Sequence, residues 1–237
     1  MSEVLGLGVC SASWMSEASA GIPGPHFVGN APDSFGLLTL RSVNALDRVR
    51  TALGESIRVK QALLESCAPV IAQAAEEVLA TFRRDRKVLL FGNGGSASDA
   101  AHIAAEWVGR YAGERVALPA MALAANPSEL TAVANDYGYD RVFVRGVEAH
   151  GKAGDLAIAL STSGNSPNVL AGVEAARAKG LFTIGLTGKG GGQLAGAVDV
   201  AIRVPSDETP RIQEAHIAIG HALCEVVDDA YRGEGSE

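Results

Sequence analysis

His102 and Glu106 stand four residues apart in the stretch FGNGGSASDAAHIAAE, residues 91–106. Four residues is slightly more than one helical turn, so on a helix the imidazole and the carboxylate stack on one face. Helical metal sites use that spacing, and the carboxylate is equally a group that can move a proton. Far along the chain, TPRIQEAHIAIGHALCEVVDD places Gln213, His216 and His221 on what reads as a second helix. At about 100° per residue, Gln213 lies about 60° from His216 on one side and about 80° from His221 on the other. The two histidines are then about 140° apart and cannot both face one small ligand, and spacing does not choose between them. Together with His102 and Glu106, one of them and Gln213 would offer nitrogen and oxygen donors of a kind that suits zinc better than calcium. The plainer alternative is that each His is a structural residue, since His-x-x-x-Glu pairs are common on helices.

Two loops offer a second kind of chemistry. GNGGSAS follows the apolar run KVLLFG, and its glycines let backbone N–H groups come close to an anion or a sugar hydroxyl, with Ser96 or Ser98 able to cap the following helix. Gly92, Gly94 and Ala97 also satisfy a dinucleotide fingerprint. That reading needs an acidic residue ending the second strand, where the chain instead has MALAANP, and Glu114 lies before that strand. A P-loop is excluded because no Gly-Lys-Ser/Thr closes the motif. The second loop, STSGNSPN, groups the hydroxyls of Ser161, Thr162, Ser163 and Ser166 around Gly164, just before a Pro at a helix start. N–H groups, small hydroxyls and little bulk are what a phosphate needs at a helix N-terminus. The alternative there is a solvated turn with a Ser N-cap.

These residues need elements to carry them. Apolar residues recur at threes and fours from Ser42 to Arg84 (Leu46, Val49, Leu53, Ile57; Leu64, Cys67, Ile71; Ala75, Val78, Phe82), which predicts two helices or one helix kinked at Pro69. Beyond it strands and helices alternate. The strands are KVLLFG, PAMALA, DLAIALS, LFTIGLT and VDVAIRV; the helices are expected at 98–111, 128–134, 140–150, 167–179, 192–197 and 208–231. Near-continuous apolar strands joined by helices are buried and parallel, so the fold class is α/β: a three-layer αβα sandwich around a five-stranded parallel sheet, preceded by N-terminal helices. Ligands of such sheets collect beyond the carboxyl ends of the strands, where both loops lie.

Composition sets the outer limits. With 237 residues, 47% of them apolar, the chain can bury one substantial core. The first 41 residues, rich in Gly, Ser, Ala and Pro, read as a loosely ordered extension, and 42–237 as a single domain. LGVC at 7–10 faintly resembles a lipoprotein cleavage site, but no positive flank or long apolar stretch precedes it. An excess of 27 acidic over 20 basic residues gives a net charge of -7, which argues against nucleic-acid and anionic-membrane partners. Cys10, Cys67 and Cys224 form no C-x-x-C pair, and a reduced cytoplasmic setting is the economical reading.

Taken in order, FGNGGSASDAAHIAAEWVGRY, AVANDYGYDRVF, LSTSGNSPNVL, LTGKGGG and TPRIQEAHIAIGHALCE resemble the sedoheptulose 7-phosphate isomerases, or phosphoheptose isomerases, of the sugar isomerase (SIS) fold. The resemblance covers 42–231. It implies conversion of sedoheptulose 7-phosphate to D-glycero-D-manno-heptose 7-phosphate through an enediol, the first step toward activated heptose. It puts zinc on His102, Glu106, Gln213 and His221, with Glu106 as general base and His221 as general acid. It implies sugar contacts at Asn93, Gly94 and Ser96 and at Gln213, phosphate contacts at Ser161, Thr162, Ser163 and Ser166, and further active-site groups at Arg110 and Asp136. Spacing alone would equally pair Arg110 with Glu114 on the surface. The family is typically a homotetramer acting on a small sugar phosphate. Two features depart from it: the N-terminal extension, and Pro210 where some relatives carry an acidic residue. The rival implied by the same fold is an isomerase of another phosphosugar, or a non-catalytic sugar-phosphate-binding module.

Overall fold

The structure, a computed structural model, describes residues 44–123 and 125–232, which fall within one compact unit. The expected extension at 1–41 and Ala124, the expected end of the second strand, lie outside the described residues.

Helix α1 spans Ala45–Arg83, opened by Asn44, whose side chain accepts a hydrogen bond from the Asp47 N–H. It runs as one helix through Pro69, not as two. Pro69 lies on the exposed side, where the carbonyl that its missing N–H leaves free can be hydrated. The alternation that follows runs β1 (Val88–Gly92), α2 (Gly95–Val108), β2 (Ala120–Ala122), α3 (Pro127–Tyr137), a 3-10 turn (Tyr139–Arg141), α4 (Val142–His150), β3 (Leu156–Ser161), α5 (Pro167–Ala178), β4 (Phe182–Thr187), α6 (Leu194–Ala197), β5 (Val200–Arg203) and α7 (Thr209–Tyr231). Each expected strand is present; PAMALA is shorter than its apolar run, pairing only through Ala120–Ala122 at the sheet edge.

The strands form one parallel sheet in the order β2-β1-β3-β4-β5. The order reverses between β1 and β3, whose pairing runs from Val88 opposite Leu156 to Gly92 opposite Leu160. Side chains alternate across the sheet. Val88, Leu90, Leu156, Ile158, Leu160, Ile184 and Leu186 share a core with α1, α2 and α7. Leu89, Phe91, Ala157 and Ala159 share the other with α4, α5 and α6, where Phe91 stacks on Phe143 at 5.1 Å. Burial on both faces is why these strands read as continuous apolar runs, and each large side chain so buried contributes about 1.5–3 kcal/mol. The result is the expected three-layer sandwich, with α2 and α7 side by side on one face. Among the described residues no helix is long and apolar enough to cross a membrane.

The first half of α1 departs from a simple core helix. Leu46, Val49, Leu53, Ile57 and Leu64 are more than half exposed, whereas Val59, Leu63, Cys67, Ala74, Ala75, Val78 and Phe82 are buried. The periodicity therefore covers two faces: one against α7 and the sheet, the other an apolar stripe at the surface of the single chain.

Candidate active site

Helix α2 begins at Gly95, three residues before the expected start, and neither Ser96 nor Ser98 caps it. The N-cap is Gly94 with φ 57° and ψ -121°, and Ser98 Oγ instead reaches back to the Gly94 carbonyl at 3.5 Å. Gly95 meets α7 directly: a Cβ there would overlap the Gln213 side-chain amide. The first turn of α2 and the first turn of α7 are thereby packed together, with Gln213 against the glycine loop.

About two and three turns beyond Gly95 along α2 come His102 and Glu106. His102 Nε2 lies 3.1 Å from Glu106 Oε1 and 3.1 Å from His221 Nε2, and the two imidazole rings are tilted at 5.1 Å. The choice that helical spacing left open is thus made by packing. His221 faces α2, while His216 points into the core, fully buried, with no hydrogen bond at either ring nitrogen. Burial pushes the His216 imidazole down to about 4, only partly offset by the Thr187 backbone nearby. His216 is a neutral structural residue.

The donor set at His102 suits a cation. A single Nε2–H on His102 cannot donate fully to a carboxylate and a second imidazole at once, so lone pairs crowd one point. Donors around a tetrahedral zinc at about 2.0–2.2 Å stand about 3.3–3.6 Å from one another, close to the separations seen at His102. Among the described residues, however, no group of three or more His, Cys, Asp or Glu is arranged as a complete metal site. The fourth expected ligand, Gln213, is not brought to that point in the single chain: its amide packs at Gly95, about two helical turns before His102.

The environment of this cluster is half open, with side-chain exposure of 47% at His102 and 24% at Glu106. Asp99, one turn before His102, has an Oδ2 buried without a partner, and burial raises its carboxyl against the lowering effect of His102. Burial, reinforced by the charge of Glu106, pushes the Cys224 thiol up to about 12, so this cysteine is no nucleophile at neutral pH.

The second loop lies beyond β3, adjacent to the first because β3 pairs with β1. Ser161 Oγ and Ser166 Oγ are 3.1 Å apart, and Asn165 N donates to Ser163 Oγ at 3.2 Å. Ser166 is the N-cap of α5 but makes no side-chain cap bond, and Pro167 opens the helix. The loop is therefore not the Ser-capped turn of the plainer reading, since Ser166 spends its hydroxyl on Ser161. The loop after β4 backs it: Leu194 N donates to the Gly164 carbonyl, and Gln193 N to Asn165 Oδ1.

Two neighbours of these loops were not singled out in the sequence. Asn93 and Asn168 exchange amide hydrogen bonds of 2.8 and 2.9 Å, and Tyr139 donates its hydroxyl to Asn93 Oδ1 at 3.0 Å. Asn93 Oδ1 is thus occupied, and the glycine loop is tied to the start of α5. Asn168 is only 2% exposed, and a polar Asn directly after a helix-opening Pro is the sequence signal that could have found it. Tyr111 packs its ring 5.5 Å from His221 and donates to Glu225 at 3.2 Å. Arg110 and Asp136 are placed differently. Arg110 lies past the end of α2, 3.9 Å from Glu114 with both side chains largely exposed, which is the surface pairing that spacing allowed. Asp136, in the last turn of α3, accepts from Asn135 Nδ2 at 2.8 Å.

Comparison with known proteins agrees with this layout. Residues 53–188 match the model of the SIS domain family. The phosphoheptose isomerase of Rhodospirillum rubrum is 60% identical over 167 residues, covering 70% of this chain and 89% of that protein. The chain belongs to the phosphoheptose isomerase family. Two solved phosphoheptose isomerases superpose on it. That of Neisseria gonorrhoeae has a TM-score of 0.74 at 44% identity, covering 78% of this chain and 98% of its own. That of Francisella tularensis has a TM-score of 0.76 at 36% identity, covering 79% and 100%.

Proposed function

We propose that the protein is an aldose–ketose isomerase that converts sedoheptulose 7-phosphate to D-glycero-D-manno-heptose 7-phosphate, the entry to activated heptose. The observation that carries this reading is the meeting of Glu106 and His221 around His102, on the helix that the glycine loop opens. A module that only bound a sugar phosphate would need the loops but not that pair.

The substrate phosphate sits on the hydroxyls of Ser161, Thr162, Ser163 and Ser166 at the N-terminus of α5, where helix-end N–H groups favour an anion. The reacting carbons then lie toward α2 and α7, over Asn93, Gly94 and Ser96, with Gln213 beside them. Glu106 removes a proton from C1 of the ketose, and His221 protonates the oxygen on C2 as charge develops there, giving the enediol. Glu106 returns its proton to C2 while His221 takes the proton from the C1 oxygen, so both residues end as they began. His102, Glu106 and His221 would hold one zinc ion, which polarises sugar oxygens when bound, with Gln213 the fourth ligand that the resemblance implies. Arg110 and Asp136, the further groups that the resemblance implies, are occupied in the single chain by Glu114 and Asn135. The α1 stripe supports a homotetramer in which that face is covered, and the two free cysteines, Cys67 and Cys224, both buried, fit a cytoplasmic enzyme.

The test is incubation of the full chain with sedoheptulose 7-phosphate in deuterium oxide. Aldose product with deuterium at the carbon-bound position is expected; no product and no exchange removes the isomerase reading. Chelator treatment tests the metal: activity should fall and return with zinc alone, and full activity in a verified metal-free sample would reject a functional zinc.

A further inference from the structure

The most fully bonded side chain in the described structure belongs to none of the groups above. Arg115 lies in the irregular segment between α2 and β2, and its side chain has 0% exposure. Its Nε donates to Asp228 Oδ1 at 2.7 Å, its Nη2 to the Glu106 carbonyl at 2.6 Å, and its Nη1 to the carbonyls of Trp107 at 2.9 Å and Val116 at 2.8 Å. Asp228, 3% exposed on α7, uses its other oxygen to accept the N–H groups of Ala112 and Gly113 at 2.9 and 2.8 Å. Helix α2 has no basic residue in its last turn, so Arg115 takes over the carbonyls that a helix end leaves unpaired.

The placement along the helices gives this pair its meaning. Asp228 is seven residues beyond His221, about two turns, and so on nearly the same face of α7. The carbonyl that Arg115 grips belongs to Glu106 itself. One guanidinium thus holds the end of α2 that carries His102 and Glu106, and ties it to the face of α7 that carries His221. Replacing a buried ion pair by apolar groups is often neutral for stability, so stability alone does not account for a pair bonded at this many points.

We infer that Arg115 and Asp228 are positioning residues for the proton-transfer site: the pair sets the register of α2 against α7, and with it the distance from Glu106 and His102 to His221. Neither touches substrate. The inference rests on the isomerase reading and adds to it a requirement for a fixed helix register.

The test uses the full chain with Asp228→Asn and Arg115→Lys. Asparagine is nearly isosteric but removes the charge that orients the fork, and lysine keeps the charge but, with its donors on one nitrogen, cannot span the four acceptors that Arg115 holds. In folded variants kcat should fall by about 100-fold with KM for sedoheptulose 7-phosphate nearly unchanged, because the phosphate loop lies at β3, away from the pair. Side-chain nitrogen NMR signals of His102 and His221 should shift in the same variants, while that of His216 stays. Folded variants with native kcat, or with unmoved His102 and His221 signals, overturn the inference. If Arg115→Lys does not fold, Asp228→Asn decides by the same two readouts. If the unmodified chain shows no isomerase activity, the functional reading fails by itself, and the NMR shifts still decide whether the pair sets the helix register.

Discussion

His102 Nε2 and His221 Nε2 lie 3.1 Å apart although 119 positions separate them in the chain. That contact joins the helix after the first strand to the closing helix, and it places the carboxylate of Glu106 beside an imidazole it could not reach locally.

The first prediction concerns that pair. Glu106→Gln keeps the shape of the side chain but removes the base, so kcat should fall by about 10²–10⁴-fold and carbon-bound deuterium incorporation should vanish. His221→Asn should lower kcat by a similar factor. Steady-state assays beside mass spectrometry of the product would check both, and a Glu106→Gln enzyme exchanging at the native rate would remove Glu106 from the mechanism.

The hydroxyl-rich loop proposed to hold the phosphate depends on Gly164, which has φ 65° and faces the Gly191 carbonyl so closely that a Cβ would overlap it. Gly164→Ala should therefore cost about 1–3 kcal/mol of local strain. The expected signature is a raised KM and weaker inhibition by inorganic phosphate, with kcat much less affected. Unchanged phosphate inhibition would place the anion elsewhere.

Acid should destabilise the protein through His216. Its folded-state value is lowered to about 4 from the ordinary 6.5, so the unfolded chain binds the proton more readily. The stability contributed by keeping this ring neutral is fully present above about pH 6.5 and is lost as pH falls toward 4, about 3 kcal/mol across that window. His216→Leu should flatten this part of the urea-denaturation profile between pH 7 and 4. An unaltered profile would show that other groups govern acid unfolding.

The stripe on α1 supplies a prediction about assembly. Ile57→Glu combined with Leu64→Glu puts charge on an apolar face that is more than half exposed on the single chain. If this face is covered in a homotetramer, light scattering should report a smaller species for the variant than for the native chain. Equal masses would put the subunit contact on another surface.

Much of this was legible in the sequence. The five buried strands announced themselves because parallel strands covered on both faces are apolar throughout, and the hydroxyl-rich loop before Pro167 carried its own local signal. The errors fall where local rules compete. Pro69 left two helices or one open, and the single helix forms because an exposed proline in a long helix leaves only a solvated carbonyl free. Ser98 looked like a cap, but the glycines allow the helix to start earlier at Gly95. Apolar periodicity in α1 could not tell the face packed on α7 from the face left at the surface, because both obey the same spacing.

By itself the sequence determined the elements, the layering and the residue types of the site, since these depend on short-range periodicity and on loops read one at a time. Only the tertiary structure decided which histidine meets His102. His216 and His221 are equivalent by helical spacing, and they separate only when α7 packs with one side on the sheet and the other against α2. The same packing produced the Arg115–Asp228 clamp and the Asn93–Asn168–Tyr139 network. Contacts between residues distant in the chain leave no local periodicity; they exist because the parallel sheet fixes where each following helix must lie.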